Sequence, residues 1–82
     1  MTIGNALISF IQDEIVGDEH NLTVDANTKL IDGGLIDSMG LMQIIAFIEE
    51  HTAVRIADDE VMPENFETVA SMERLITRLQ SR

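Results

Sequence analysis

Within GGLIDSMGL, residues 33–41, an aspartate and a serine stand side by side between glycine-marked turns and a long uncharged apolar run. A hydroxyl there could act as a nucleophile, as a metal ligand, as a helix cap or as an attachment point. Nucleophilic catalysis needs a base within reach of Ser38, and neither a glycine-elbow pattern nor the placement of His20 and His51 supplies one. Asp25, Asn27 and Lys29 have the alternation of a calcium loop. Lysine at the fifth place and Leu30 where glycine is needed exclude it. His20 and His51 have no ligand spacing and read as solvated side chains, so no catalytic residue and no metal site is expected. Capping remains, and Asp37 or Ser38 can accept from the orphan N–H groups of a helix that starts here. If Asp37 does so, the serine oxygen is released to solvent. A phosphoester on it would then face unsatisfied N–H groups and the positive end of the helix dipole, an environment that favours an anion.

The elements that must position this pair follow from periodicity. Ile3, Leu7, Phe10 and Ile11 recur at helical spacing within residues 2–16, Ile8 and Ile15 widen the stripe, and Thr2 suits the N-cap. Gly17 ends the pattern. A loop of roughly twenty residues follows, anchored by Leu22, Val24, Leu30, Leu35 and Ile36; loops this long more often serve function than mere connection. The second helix, residues 38–51, has Leu41, Ile44, Ile45 and Ile48 as its core stripe. Its other side carries Met39, Gln43, Ala46 and Glu50, with Met42 and Phe47 on the flanks. Two readings fit that apolar outer side: cover by the long loop and the last helix, or an open docking face. Gly40 weakens the first turn and leaves the backbone beside Ser38 open to close approach. Pro63 starts a short third helix in PENF, preceded by Asp58, Asp59 and Glu60 as a solvated or capping run. Thr68 opens the last helix, which runs to about Leu79 with Val69, Met72, Leu75, Ile76 and Leu79 as its apolar face. The expected fold is all-α: a small four-helix bundle, three main helices and one short, with a long loop between the first and second, forming one domain over residues 1–82.

Composition narrows the partners. Eighty-two residues, 45% of them hydrophobic with three phenylalanines as the only aromatics, support one aliphatic core. A formal charge of −10 repels nucleic acid and anionic membranes and steers encounter with basic protein surfaces. The N-terminal stretch has no basic n-region and is interrupted by Asn5, Gln12, Asp13 and Glu14, so neither a signal peptide nor a membrane span is expected. The chain reads as a soluble, cytoplasmic monomer. With no cysteine, any thiol chemistry must be imported.

At this point the sequence resembles the acyl and peptidyl carrier proteins. GLIDSMGLMQIIAFIEE is similar to their attachment segment, VRIADDEV to the segment after their second helix, and NFETVASMERLI to the approach to their last. The resemblance covers nearly the whole chain. It implies a 4′-phosphopantetheine arm on Ser38, with Asp37 as the motif's acid. A phosphopantetheinyl transferase would transfer the arm from coenzyme A with magnesium, and the terminal thiol would carry acyl or aminoacyl groups as thioesters. The chain would then be a carrier rather than an enzyme, and a discrete protein, because helices occupy its length from Met1 to near Arg82. Fatty-acid carriers have acids early in the second helix. Here Gly40, Leu41, Met42 and Gln43 occupy those places, and charge resumes only at Glu49 and Glu50. That departure resembles carriers of secondary metabolism loaded by adenylating ligases, such as peptidyl and D-alanyl carriers, which hand their cargo to a downstream transferase or synthase. Met39, Met42, Gln43, Ala46, Phe47, Glu49 and Glu50 would form the docking face. The alternatives are a fatty-acid or polyketide acyl carrier and, in another class, a helical adaptor in which Ser38 is only a cap.

Overall fold

The computed structural model describes residues 2–17 and 22–81. His20, Met1 and Arg82, on which expectations were placed above, lie outside the described residues. Among the described residues the regular elements are all helical: α1 (Ile3–Phe10), α2 (Ser38–Thr52), the four-residue α3 (Pro63–Phe66) and α4 (Val69–Gln80), with a 3-10 turn at Asp58–Glu60.

Each start has a local cause. Thr2 Oγ1 accepts from Asn5 N at 3.1 Å, and Asp37 Oδ1 accepts from Gly40 N at 2.8 Å. Thr68 and Ser71 close a reciprocal capping box, each side chain bonding the other's backbone N–H. Pro63 occupies the first turn of α3, where its missing N–H costs nothing.

The first helix departs from expectation. Residues 2–16 read as one amphipathic α-helix, but the α-geometry ends at Phe10, and Ile11–Val16 continue as a π-helix. Such widened turns are rare and arise where tertiary contacts outweigh the ideal ladder. Here Gln12, inside the π segment, binds the long loop: its Oε1 accepts from Val24 N at 2.6 Å and its Nε2 donates to Leu22 O at 2.9 Å.

α1 packs against both α2 and α4. The core draws Leu7 and Ile11 from the first helical segment, Ile44 and Ile48 from α2, Phe66 from α3, and Met72 and Leu75 from α4. Val24 and Leu30 add to it from the loop. Leu22, expected as another anchor, is exposed; the loop holds it by its carbonyl rather than its side chain. Leu41, expected on the core stripe, is only partly buried at the core's edge.

The loop is ordered by a turn around two glycines with different needs. Gly34 has φ +72°, a left-handed conformation that costs glycine little, while a Cβ on Gly33 would collide with the Lys29 carbonyl. Leu35 N and Ile36 N both donate to Leu30 O, at 2.9 and 3.2 Å. This turn delivers the chain to Asp37 and Ser38.

Candidate functional site

Asp37 and Ser38 divide the labour that the sequence left open between them. Asp37 is the N-cap, in extended conformation, its carboxylate on Gly40 N and its carbonyl accepting from Leu41 N at 2.9 Å. Ser38 is the first helical residue and is exposed. Among the described residues its hydroxyl makes no hydrogen bond, and the N–H groups of Ser38 and Met39 have no acceptor. A free hydroxyl thus stands beside two unsatisfied donors at the positive end of a 15-residue helix.

Next to it runs an open groove of about 410 Å³, lined by Ile31, Ile36, Asp37, Ser38, Leu41, Val61, Met62 and Pro63. Most of that lining is aliphatic. The partial burial of Leu41 is explained by this groove, whose floor it shares.

The outer side of α2 separates the expected docking residues into two groups. Met39 and Met42 keep 74% and 62% of their surface, and Gln43, Ala46 and Glu50 are also exposed. The long loop and α4 do not cover the methionines. Single exposed apolar side chains are ordinary, but two one helical turn apart beside a free hydroxyl form a patch. Phe47 and Glu49 instead have internal partners. Phe47 is partly buried and stacks on Phe10 of α1, ring centroids 4.4 Å apart, and on His51 at 4.1 Å. Glu49 is half-buried, and its carboxylate accepts from Ile56 N at 2.9 Å, holding the segment after α2. The sequence alone places Phe47 on the flank of the outer side and both residues in the docking face; α1 and the returning chain partly cover them.

His51 is exposed, its ring stacked on Phe47 and its Nδ1 2.9 Å from the Phe47 carbonyl oxygen. No group of three or more histidine, cysteine, aspartate or glutamate side chains able to hold a metal occurs among the described residues. Of the acidic run, Glu60 is half-buried and pairs with Arg78 at 3.3 Å, while Asp58 and Asp59 are exposed. No described helix is long and apolar enough to cross a membrane.

Sequence reasoning missed two residues that shape the site. In the sequence Gln12 is only an interruption of an apolar stretch, and nothing there separates it from Asn5, the exposed amide of the same helical segment. Glu67 gave no signal at all. Its carboxylate accepts from Ile31 N at 2.7 Å and Asp32 N at 3.0 Å, tying the loop to the end of α3.

The geometry fits a phosphodiester-linked arm. A phosphate on Ser38 Oγ would meet the free Ser38 and Met39 N–H groups, and the aliphatic groove offers a surface along which an arm can lie. The comparisons with known proteins agree. Residues 11–76 match the family model described as "Phosphopantetheine attachment site". The chain is 31% identical over 75 residues to "Probable acyl carrier protein PigG" of Serratia sp. (strain ATCC 39006), covering 92% of this chain and 85% of that protein. It is 28% identical over 76 residues to "Aminoacyl carrier protein 2" of Bradyrhizobium diazoefficiens, covering 93% and 84% respectively. A chain of the solved structure described as "Crystal structure of FAD-dependent dehydrogenase" matches with a TM-score of 0.75 at 32% identity, covering 88% of this chain and 100% of that one. From a helix that presents an uncommitted serine, and a family match that spans it, it follows that this chain belongs to the phosphopantetheine-binding acyl and aminoacyl carrier proteins, whose prosthetic group is 4′-phosphopantetheine.

Proposed function

We propose that residues 1–82 form one carrier domain that holds acyl or aminoacyl intermediates as thioesters on an arm attached to Ser38. The observation that carries this reading is that Asp37 caps α2 alone, leaving the exposed Ser38 hydroxyl without a structural task. In the attachment step, Ser38 Oγ forms a bond to the pantetheine-bearing phosphorus of coenzyme A. The pyrophosphate bond breaks, adenosine 3′,5′-bisphosphate leaves, and the hydroxyl proton passes to the phosphopantetheinyl transferase. The unsatisfied N–H groups of Ser38 and Met39 then face the new phosphodiester. When bound, the group supplies the thiol that a chain without cysteine lacks. Tethering keeps the cargo at high effective concentration for each enzyme visited.

Loading by an adenylating ligase is supported by the open Met39 and Met42 patch and by the absence of any charge on α2 before Glu49. The names of the aminoacyl carrier relatives point the same way. Downstream, a transferase or synthase accepts the cargo. The carrier itself performs no catalysis and acts as a cytoplasmic monomer, with a net charge of −10 opposing self-association.

Incubation with coenzyme A, magnesium and a broad-specificity phosphopantetheinyl transferase tests the reading by intact-protein mass spectrometry. The expected result is one arm on the wild-type chain and none on Ser38→Ala. A wild-type chain that gains no mass refutes the carrier reading and leaves the adaptor. An arm on the alanine variant refutes Ser38 as the attachment point.

A further inference from the structure

The groove beside Ser38 is built from two stretches of chain far apart in sequence. Ile31, Ile36 and Leu41 line it from the long loop and α2, while Val61, Met62 and Pro63 line it from the approach to α3. Glu67 joins the two. It directly follows α3, where Phe66 is fully buried and fixes the backbone. Three successive loop amides end on this one residue. Leu30 N donates to the Glu67 carbonyl at 2.8 Å, Ile31 N to Oε2 at 2.7 Å, and Asp32 N to Oε2 and Oε1 at 3.0 and 3.2 Å.

Resting on the reading of Ser38 above, we infer that Glu67 is a positioning residue. Its carboxylate latches the Leu30–Ile36 turn to the base of α3 and so sets the direction in which Ser38 is presented to the enzyme that modifies it. Hydrogen bonds to an ionised acceptor are the stronger kind, and a carboxylate can accept from two amides at once. The turn it holds is closed on itself by Leu35 N and Ile36 N donating to Leu30 O, so what fixes Ile31 and Asp32 also fixes the entry to Asp37. Without the latch, the turn is still held by one backbone bond to Glu67 and by the packing of Leu30, Ile31, Leu35 and Ile36 against the core, but nothing fixes the amides of Ile31 and Asp32. The fraction of molecules with Ser38 correctly presented then falls, and apparent affinity for the modifying enzyme falls by that fraction. Chemistry within the docked complex is unaffected.

Glu67→Gln separates this role from general stability, because it preserves shape and can keep an oxygen in the place of Oε2, yet removes the charge and sets an N–H₂ group where Oε1 accepts from Asp32 N. The KM for the carrier in arm transfer by a broad-specificity transferase is expected to rise about fivefold or more, with kcat within about twofold. Amide exchange at Ile31, Asp32, Leu35 and Ile36 is expected to quicken about tenfold, while Val24, held by Gln12, keeps its protection. Leu79→Ala, a cavity at the edge of α4, serves as the destabilised comparison and should leave KM unchanged. An unchanged KM in Glu67→Gln, an equal rise in Leu79→Ala, or unaltered exchange in the turn would each overturn the inference. If the wild-type chain accepts no arm, the carrier reading fails by itself, and exchange at the turn still decides whether Glu67 is the latch.

Discussion

The division of roles between Asp37 and Ser38 makes a quantitative prediction about stability. Asp37→Ala removes the side-chain bond to Gly40 N at 2.8 Å, and loss of such a cap costs about 1 kcal/mol, within a range of about 0.5–2. For a domain of this size, that lowers Tm by about 4–8 °C per kcal/mol. Asp37→Asn keeps an accepting oxygen but loses the charge at the helix N-terminus, a smaller effect of about 0.3–1 kcal/mol at low ionic strength. Ser38→Ala removes no hydrogen bond from an exposed side chain, so its effect should stay within about 0.5 kcal/mol. The expected order of melting temperatures is Ser38→Ala equal to wild type, then Asp37→Asn, then Asp37→Ala, read by circular dichroism at fixed salt. Raising the salt should bring Asp37→Asn toward wild type and leave the alanine deficit largely in place. In the arm-transfer assay the order inverts: Ser38→Ala accepts nothing, while Asp37→Ala is still modified. Should Ser38→Ala melt as low as Asp37→Ala, the serine is a structural cap and the reasoning from an uncommitted hydroxyl is wrong.

Met42→Ala is expected to slow loading by the proposed adenylating ligase about tenfold, the effect of losing an exposed side chain that the proposed docking would bury. Charge reversal at Glu50 should slow it less, and the opposite order in a screen of such enzymes would show docking to be electrostatic. Gln12→Leu leaves Val24 N–H unsatisfied and should destabilise by about 1–3 kcal/mol in urea titration, with the Val24 amide exchanging faster. Gly40→Ala sets a helix-propensity gain of about 1 kcal/mol against overpacking of about 1–3 kcal/mol, because the added Cβ would lie 3.3 Å from Ile15 Cγ2 and 3.5 Å from Ile36 Cβ. A lowered urea midpoint is expected. A raised one would mean that Ile15 yields freely.

What could be read from the sequence is what is local. Thr2, Asp37 and Thr68 each precede an apolar stripe of helical period, and each caps the helix it announces. The proposed attachment motif is local too, being one dipeptide at one helix start. A wheel drawn on α2 alone puts Met39 outside and Met42 on the flank, and both are exposed. It cannot know that α1 brings Phe10 against Phe47, or that the chain turns back to place Ile56 N on Glu49. The π-helical turn escapes the same way: propensity favours a continuous α-helix through Val16, and the contacts of Gln12 with Leu22 and Val24 lie across the loop. Gly40 was legible as an opening but not its purpose, since Ile15 and Ile36 pack against it instead of leaving it free for a partner.

These misses share a physical cause. Gln12 and Glu67 hold the loop by its backbone, and backbone amides are the same at every residue, so no pattern of side chains records which of them is held. An attachment serine is specified by chemistry and has to be a hydroxyl at a helix N-terminus. Its aim is specified by geometry alone, and any acceptor at the right point in space can supply that. A carrier's modifiable residue can therefore be proposed from a dipeptide, whereas the residues that orient it have to be found in the folded chain. Substitutions that disturb presentation should accordingly arise at positions such as Glu67 that carry no motif, and should leave the attachment segment itself intact.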